Sequence, residues 1–104
     1  MKSRFHEGAD ADLTEDVGYY DLAAPGLGDR LIAEVRAAVV FLEAYPMAAC
    51  VLAGEIRGKA LVRFPHTLLY TIETNEVVIL AVAHQRQDLR TWLQIVRSRR
   101  SGAL

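Results

Sequence analysis

Cysteine is almost absent from this 104-residue sequence, which contains only Cys50. One cysteine cannot form an internal disulfide framework, and it also excludes a zinc site built from cysteines. The three histidines, His6, His66 and His84, lie far apart and lack the spacing of metal ligands. We therefore expect neither a metal nor a cofactor.

Long apolar runs are missing as well. The longest uncharged run, residues 44–54, contains Pro46 and is too short to span a bilayer. The positively charged first residues are not followed by an apolar segment, so we expect no signal peptide. These absences favour a cytoplasmic protein without a membrane partner.

Neither sign of charge predominates over the whole chain. The net charge of −1 argues against a protein dedicated to coating nucleic acid. The total hides an asymmetry, because residues 1–45 carry a net charge of −5 and residues 46–104 one of +4. With 52% apolar and 24% charged residues, the composition is typical of a globular protein, and the length fits a single domain over residues 1–104.

The first half of the chain predicts two helices joined by a turn at residues 24–26. The first apolar stripe consists of Ala9, Leu13, Val17 and Tyr20, and the second of Leu31, Val35, Ala38, Val39 and Leu42. We expect the acidic residues of the first helix to lie on its opposite face, namely Asp10, Asp12, Glu15 and Asp16. Since Pro46 ends the second helix, the two should form an antiparallel hairpin.

The second half of the chain predicts short strands and a final helix. We expect strands at residues 51–57, 60–64, 67–74 and 77–83, turns at residues 58–59 and 74–75, and a helix from Asp88 to about Arg97. Residues 4–6 are a further candidate for an edge strand. The predicted fold class is α+β, with an N-terminal helical hairpin packed on a small antiparallel sheet and a short C-terminal helix.

The fourth of these strands, residues 77–83, is apolar on both faces and should be central. We expect the last helix, through Leu89 and Trp92, to cover one face of this strand. The face that it leaves open is then where a partner protein would dock.

Basic side chains are the strongest candidates for chemistry. Arg57, Lys59 and Arg63 fall on or between predicted strands, and Arg86 follows the last strand. Side chains that alternate on neighbouring strands share a face, so such a cluster can hold a phosphate and stabilise charge during cleavage. A solvated basic face, or one that pairs with an acidic partner, is the alternative. His84 is either a proton carrier or a structural histidine at a strand end.

Three segments, taken in order over residues 4–92, resemble the RelE/ParE superfamily of toxins from bacterial type II toxin–antitoxin modules. They are Phe5-His6 before an acidic helix with Tyr19-Tyr20; residues 25–30 with Glu34-Val35 and Tyr45-Pro46; and residues 63–66, Leu69-Tyr70, residues 79–86 and Trp92. This resemblance implies the predicted fold, growth inhibition, a role in plasmid stabilization, and a cognate antitoxin that wraps an extended or helical segment around the toxin.

The superfamily has two kinds of target. The RelE-like branch cleaves messenger RNA on the ribosome, and Arg57, Lys59, Arg63 and Arg86 match its basic positions. If this chain is a nuclease, we expect these four residues to be catalytic, with His84 as a candidate base. The ParE-like branch inhibits DNA gyrase. No tyrosine or histidine follows His84, the charge is near neutral and the helical hairpin is long, and these features favour gyrase inhibition. The alternatives are the ribosome-dependent endoribonuclease and an inactive member that only binds its antitoxin.

Overall fold

The computed structural model describes residues 1–102, which form three helices and five strands. In chain order these are β1 (Lys2–Phe5), α1 (Glu7–Ala23), α2 (Leu27–Ala44), β2 (Cys50–Ala53), β3 (Ile56–Ala60), β4 (His66–Glu73), β5 (Glu76–His84) and α3 (Leu89–Arg100). This order confirms the predicted α+β class, with a helical hairpin, a sheet and a final helix. None of the described helices is both long and apolar enough to cross a membrane.

The five strands form one sheet in the order β1-β5-β4-β3-β2. Neighbours are antiparallel except β1, which runs parallel to β5 at one edge. The tight turn between β4 and β5 places Thr74 and Asn75 at φ of 50° and 58°, a backbone conformation that asparagine tolerates. At the other edge, β2 pairs only with β3 among the described strands.

The helices cover the sheet from both sides. The hairpin of α1 and α2 packs Leu31 and Val35 against Leu68 and Val82 on one face. On the other face α3 packs Trp92 and Val96 against β4 and β5. The expectation of an open face on β5 is therefore wrong, because every residue from Val77 to Ala83 is at most 5% exposed.

A bulge in β5 places two successive side chains on the same face of the sheet. Leu69 pairs with Ala81 and Tyr70 with Ile79, so Leu80 is an extra residue in β5. Leu80 and Ala81 consequently both belong to the core beneath α3, while Ile79 belongs to the core beneath the hairpin.

The predicted turn between β2 and β3 is misplaced. The chain turns at Gly54 and Glu55, and Gly58 and Lys59 lie inside β3. Gly54 has a φ of +56°, which glycine adopts without steric cost. Residues 61–65 then form a loop, so the strand expected at residues 60–64 is wrong beyond Ala60, which ends β3.

The expectation that Asp12 and Asp16 face solvent is also wrong. Asp16 is 4% exposed, and Asp12 accepts a hydrogen bond from the backbone N–H of Val82 at 3.1 Å. Both carboxylates point from α1 towards the sheet, where each has a cationic or imidazole partner in a distant part of the chain.

Candidate functional site

Three connections meet at one end of the sheet, which we call the tip: the α1–α2 turn, the β3–β4 loop and the β5–α3 loop. The ring of Phe64 in the β3–β4 loop packs edge-on against Tyr20 of α1, with centroids 5.2 Å apart. The backbone N–H of Gln85 donates to the carbonyl of Pro65 at 3.0 Å and joins the two loops. The tip is therefore held by side-chain packing and one backbone bond between loops.

A buried pair of hydrogen-bonded side chains lies beneath the tip. Nε2 of His66 is 2.9 Å from Oδ2 of Asp16, and both side chains are nearly inaccessible to solvent. The second carboxylate oxygen, Oδ1, is 3.7 Å from Nη2 of Arg86. Asp16 thus connects α1 to the start of β4 and to the loop after β5.

Tyr20 belongs to the same cluster. Its ring centroid is 5.9 Å from that of His66. Burial raises the pKa of Tyr20, and the negative charge of Asp16 raises it further. The phenol is therefore held in its neutral form, which suits a packing residue better than a general base at neutral pH.

Two of the predicted site residues, Arg63 and Arg86, lie at the tip and are exposed. The Arg86 guanidinium lies 5.0 Å from the centre of the Tyr19 ring, a cation–π contact. The backbone N–H of Arg63 donates to the Glu34 carboxylate at 3.0 Å, which fixes the loop while the side chain lies at the surface. Together they give the tip an exposed cationic and aromatic surface.

Aliphatic side chains extend from the same end of the molecule. Val62, in the β3–β4 loop, is 90% exposed, and Leu22, in the last turn of α1, is 92% exposed. A shallow groove of about 1110 Å³ runs between α2 and the β3–β4 loop and is lined by Leu27, Arg30 and Phe64 among others. Such a mixture of aromatic, aliphatic and arginine side chains is typical of the centre of a protein interface.

The other two predicted cations lie elsewhere, on β3 near the C-terminal end of α2. Nη1 of Arg57 donates to the carbonyls of Met47 and Ala49 at 3.1 and 2.8 Å. Nζ of Lys59 lies 4.7 Å from the centre of the Phe41 ring. The structure therefore separates Arg57 and Lys59 from Arg63 and Arg86 into two surfaces.

His84, the remaining predicted site residue, lies between two other rings at the end of β5. Its centroid is 6.5 Å from that of His66 and 5.5 Å from that of Trp92. Nδ1 of His84 is buried and has no hydrogen-bond partner within residues 1–102. These surroundings are those of a packed side chain.

The five residues predicted for a nuclease thus do not converge on one point of the surface. Sequence reasoning missed Asp16 and Tyr20 as residues that shape the tip, although the Tyr19-Tyr20 pair was part of the resemblance. In the part of the chain that the structure describes, no group of three or more His, Cys, Asp or Glu side chains could hold a metal ion.

Comparisons with known proteins agree with the fold. Residues 4–89 match the family model of the ParE toxin of the type II toxin–antitoxin system parDE. Nine chains of solved structures match, among them a structure described as the chromosomal ParDE toxin–antitoxin system from P. aeruginosa. That match has a TM-score of 0.72 and 20% sequence identity, and covers 81% of this chain and 95% of the other. No curated protein matches the sequence. Since the family model covers most of the chain, this protein belongs to the ParE toxin family of type II toxin–antitoxin systems.

Proposed function

We propose that this chain inhibits DNA gyrase and that a cognate antitoxin neutralises it. We choose gyrase over messenger RNA because the five residues predicted for a nuclease lie in separate parts of the structure. General acid–base cleavage needs its groups within hydrogen-bond reach of one reacting centre. Here Arg57 is bonded to backbone carbonyls, Lys59 covers an aromatic ring, and His84 is packed against Trp92.

The tip is the surface that we assign to the target. A toxin that inhibits without chemistry needs a binding surface, and interface energy concentrates in a few aromatic and arginine side chains. Tyr19, Arg63 and Arg86 supply these groups, and the buried Asp16–His66 pair supports them from below. The exposed Val62 adds apolar area, and its burial by a partner would contribute favourable binding free energy.

An apolar groove between the two helices of the hairpin supports the antitoxin part of the proposal. The groove has a volume of about 560 Å³, and Leu13, Val17, Ile32 and Val39 line it. A helix with an apolar stripe fits a groove of this kind, as amphipathic partner helices do elsewhere.

A supercoiling assay tests the proposed target. The purified protein should block gyrase supercoiling, and Arg86→Ala should weaken this inhibition by about 30-fold, as truncation of an interface hot spot does. Arg63→Ala should act in the same direction. Arg97→Ala is the matched control, since Arg97 is an exposed arginine on α3 away from the tip.

Further measurements separate the alternatives. Unchanged supercoiling at a large excess of protein would contradict gyrase inhibition. Cut messenger RNA from translating ribosomes mixed with the protein, lost in Arg57→Ala and Lys59→Ala, would establish the endoribonuclease instead. Harmless expression without any antitoxin would indicate a member that only binds its partner.

A further inference from the structure

The strand β2 forms an edge of the sheet that no described segment covers. It pairs with β3 on one side, and Cys50, Val51 and Leu52 are all exposed. An uncovered edge presents backbone N–H and C=O groups that another extended chain can pair with. Natural proteins usually protect such an edge with charged side chains or proline, whereas the sequence of β2 is Cys-Val-Leu-Ala.

Exposed apolar side chains surround this edge. We call them the β2 patch: Phe41, Tyr45, Met47, Val51 and Leu52, of which Tyr45 and Met47 are 62% and 67% exposed. The rings of Phe41 and Tyr45 pack together with centroids 5.4 Å apart, at the C-terminal end of α2. Val40, which precedes Phe41 on α2, is exposed and lines the hairpin groove.

Two cations lie beside the β2 patch without a carboxylate partner. Arg57 pairs in register with Val51 and therefore shares its face of the sheet. Lys59 lies two residues further along β3 on that same face, against Phe41. Neither has an ion pair with an Asp or Glu in residues 1–102, unlike Arg4, Arg99 and Arg100. The surface beside the edge is thus positively charged and apolar.

We propose that the β2 edge takes up an extended, acidic segment of the antitoxin as a sixth strand. Main-chain hydrogen bonds would supply affinity, and side chains alternating along the added strand would supply specificity. Carboxylates on one face of this strand would reach Arg57 and Lys59, while apolar side chains on its other face would contact Leu52. The inference rests on the proposed neutralisation by an antitoxin and specifies one part of it.

A second copy of this chain fits the edge less well. Two β2 strands paired antiparallel around a two-fold axis would place Arg57 and Lys59 of both copies on one face of a continuous sheet, each pair one strand in from the junction. Like charges so placed oppose association, whereas carboxylates would neutralise them. The positive charge therefore selects an acidic partner.

Binding of short peptides to the full chain tests the inference. The probe is a blocked heptapeptide that alternates glutamate and valine, and its control has lysine in place of each glutamate. The glutamate peptide should shift the backbone amide NMR signals of Cys50 to Ala53 and bind at least about tenfold more tightly at low salt than the lysine peptide. It should also slow alkylation of Cys50, the single thiol of the chain.

The two lysines of the chain provide a matched pair of variants. Lys59→Ala should weaken binding of the glutamate peptide about threefold, the effect of one exposed ion pair, and Lys2→Ala on the opposite edge should leave it unchanged. Val51→Glu should weaken it more, because it adds a negative charge to the patch. Circular dichroism verifies that each variant is folded.

Several results would overturn the inference. They are unshifted amides in β2 at millimolar peptide, equal binding of the lysine peptide, or a dimer of the free protein that buries β2. None of these results depends on gyrase, so they leave the supercoiling assay to decide the proposed target. Conversely, if the peptide binds at β2 but the protein leaves supercoiling unchanged, the proposed docking edge is supported and the proposed gyrase target is rejected.

Discussion

At the scale of single residues, Tyr70 links the segment after α2 to the centre of the sheet. Its side chain is fully buried in the core beneath the hairpin. Its hydroxyl donates a hydrogen bond to the carbonyl of Pro46 at 2.7 Å. Burial is the main cause that raises the pKa of Tyr70, and the nearby Arg57 opposes it.

We expect Tyr70→Phe to cost about 1 kcal/mol at pH 7, the net contribution of one hydrogen bond. The pKa of Tyr70 is higher in the folded protein than in the unfolded chain, where it is about 10. The neutral phenol therefore contributes its full stabilisation below about pH 10, and this contribution is lost as the pH rises through the pKa of the folded state. The stability gap between wild type and variant should therefore narrow above about pH 10. Urea unfolding at pH 7 and at pH 9–11 measures it, with the exposed Tyr45→Phe as control. If the difference in stability between wild type and Tyr70→Phe does not change with pH, the raised pKa of Tyr70 is contradicted.

The burial of Asp12 and Asp16 can be predicted only in part from the sequence. Both lie three residues after an apolar position of α1, at Ala9 and Leu13, so helical geometry places them beside the buried stripe. A pattern of apolar residues alone assigns such carboxylates to solvent. Their partners, Arg99 and His66, are 87 and 50 residues away, and no local signal pairs them.

At the scale of elements, the pair of Asp12 and Arg99 fastens α3 to an incomplete edge of β5. Strand β1 covers β5 only as far as Ile79. Beyond it, Nη1 of Arg99 donates to the carbonyl of Leu80 at 2.8 Å, and Asp12 accepts from the N–H of Val82. The two side chains thus supply a donor and an acceptor where a neighbouring strand is missing. Gly8 leaves room for Arg99, since a Cβ there would overlap its guanidinium.

Removing Arg99 should therefore loosen α3 and the end of β5 together. We expect Arg99→Ala to lower the free energy of unfolding by about 2–3 kcal/mol, because it leaves a part-buried carboxylate and the Leu80 carbonyl without this partner. Amide hydrogen exchange at Val82 should speed up in Asp12→Ala, with Leu68 on β4 as the internal control. Losses that simply add in the double variant would contradict coupling between the two side chains.

The β2–β3 hairpin shows why element boundaries were harder to predict than elements. The segment offers two glycines, and the sequence does not indicate which of them makes the turn. Gly54 turns the chain, whereas Gly58 lies in β3 beneath Leu52, where a Cβ would overlap that side chain. Cross-strand packing on Gly58 therefore decided the register, and such packing is visible only once β2 and β3 are paired.

At the scale of the whole molecule, the acidic first half and the basic second half neutralise each other across the fold. Asp12 pairs with Arg99, and Asp16 pairs with His66 and approaches Arg86. The hairpin, the central strand and the final helix could all be predicted, because the helices have apolar stripes at helical spacing and the strand is a short continuous apolar run. The candidate site could not, because its cations lie on two surfaces that only the tertiary structure separates. Arg63 and Arg86 lie at the tip, whereas Arg57 and Lys59 lie beside the β2 edge.

The two surfaces predict two separable losses of function. Since the tip and the β2 edge share none of their proposed contact residues, the glutamate heptapeptide should occupy β2 without restoring supercoiling to inhibited gyrase. Arg86→Ala should inhibit gyrase about 30-fold more weakly and bind the peptide normally, whereas Lys59→Ala should inhibit gyrase normally and bind the peptide about threefold more weakly. Titrating both variants in the supercoiling assay and in the NMR experiment measures all four combinations. A peptide that relieves inhibition in proportion to its binding, or an Arg86→Ala variant as defective in peptide binding as Lys59→Ala, would mean that target and antitoxin segment compete for one surface.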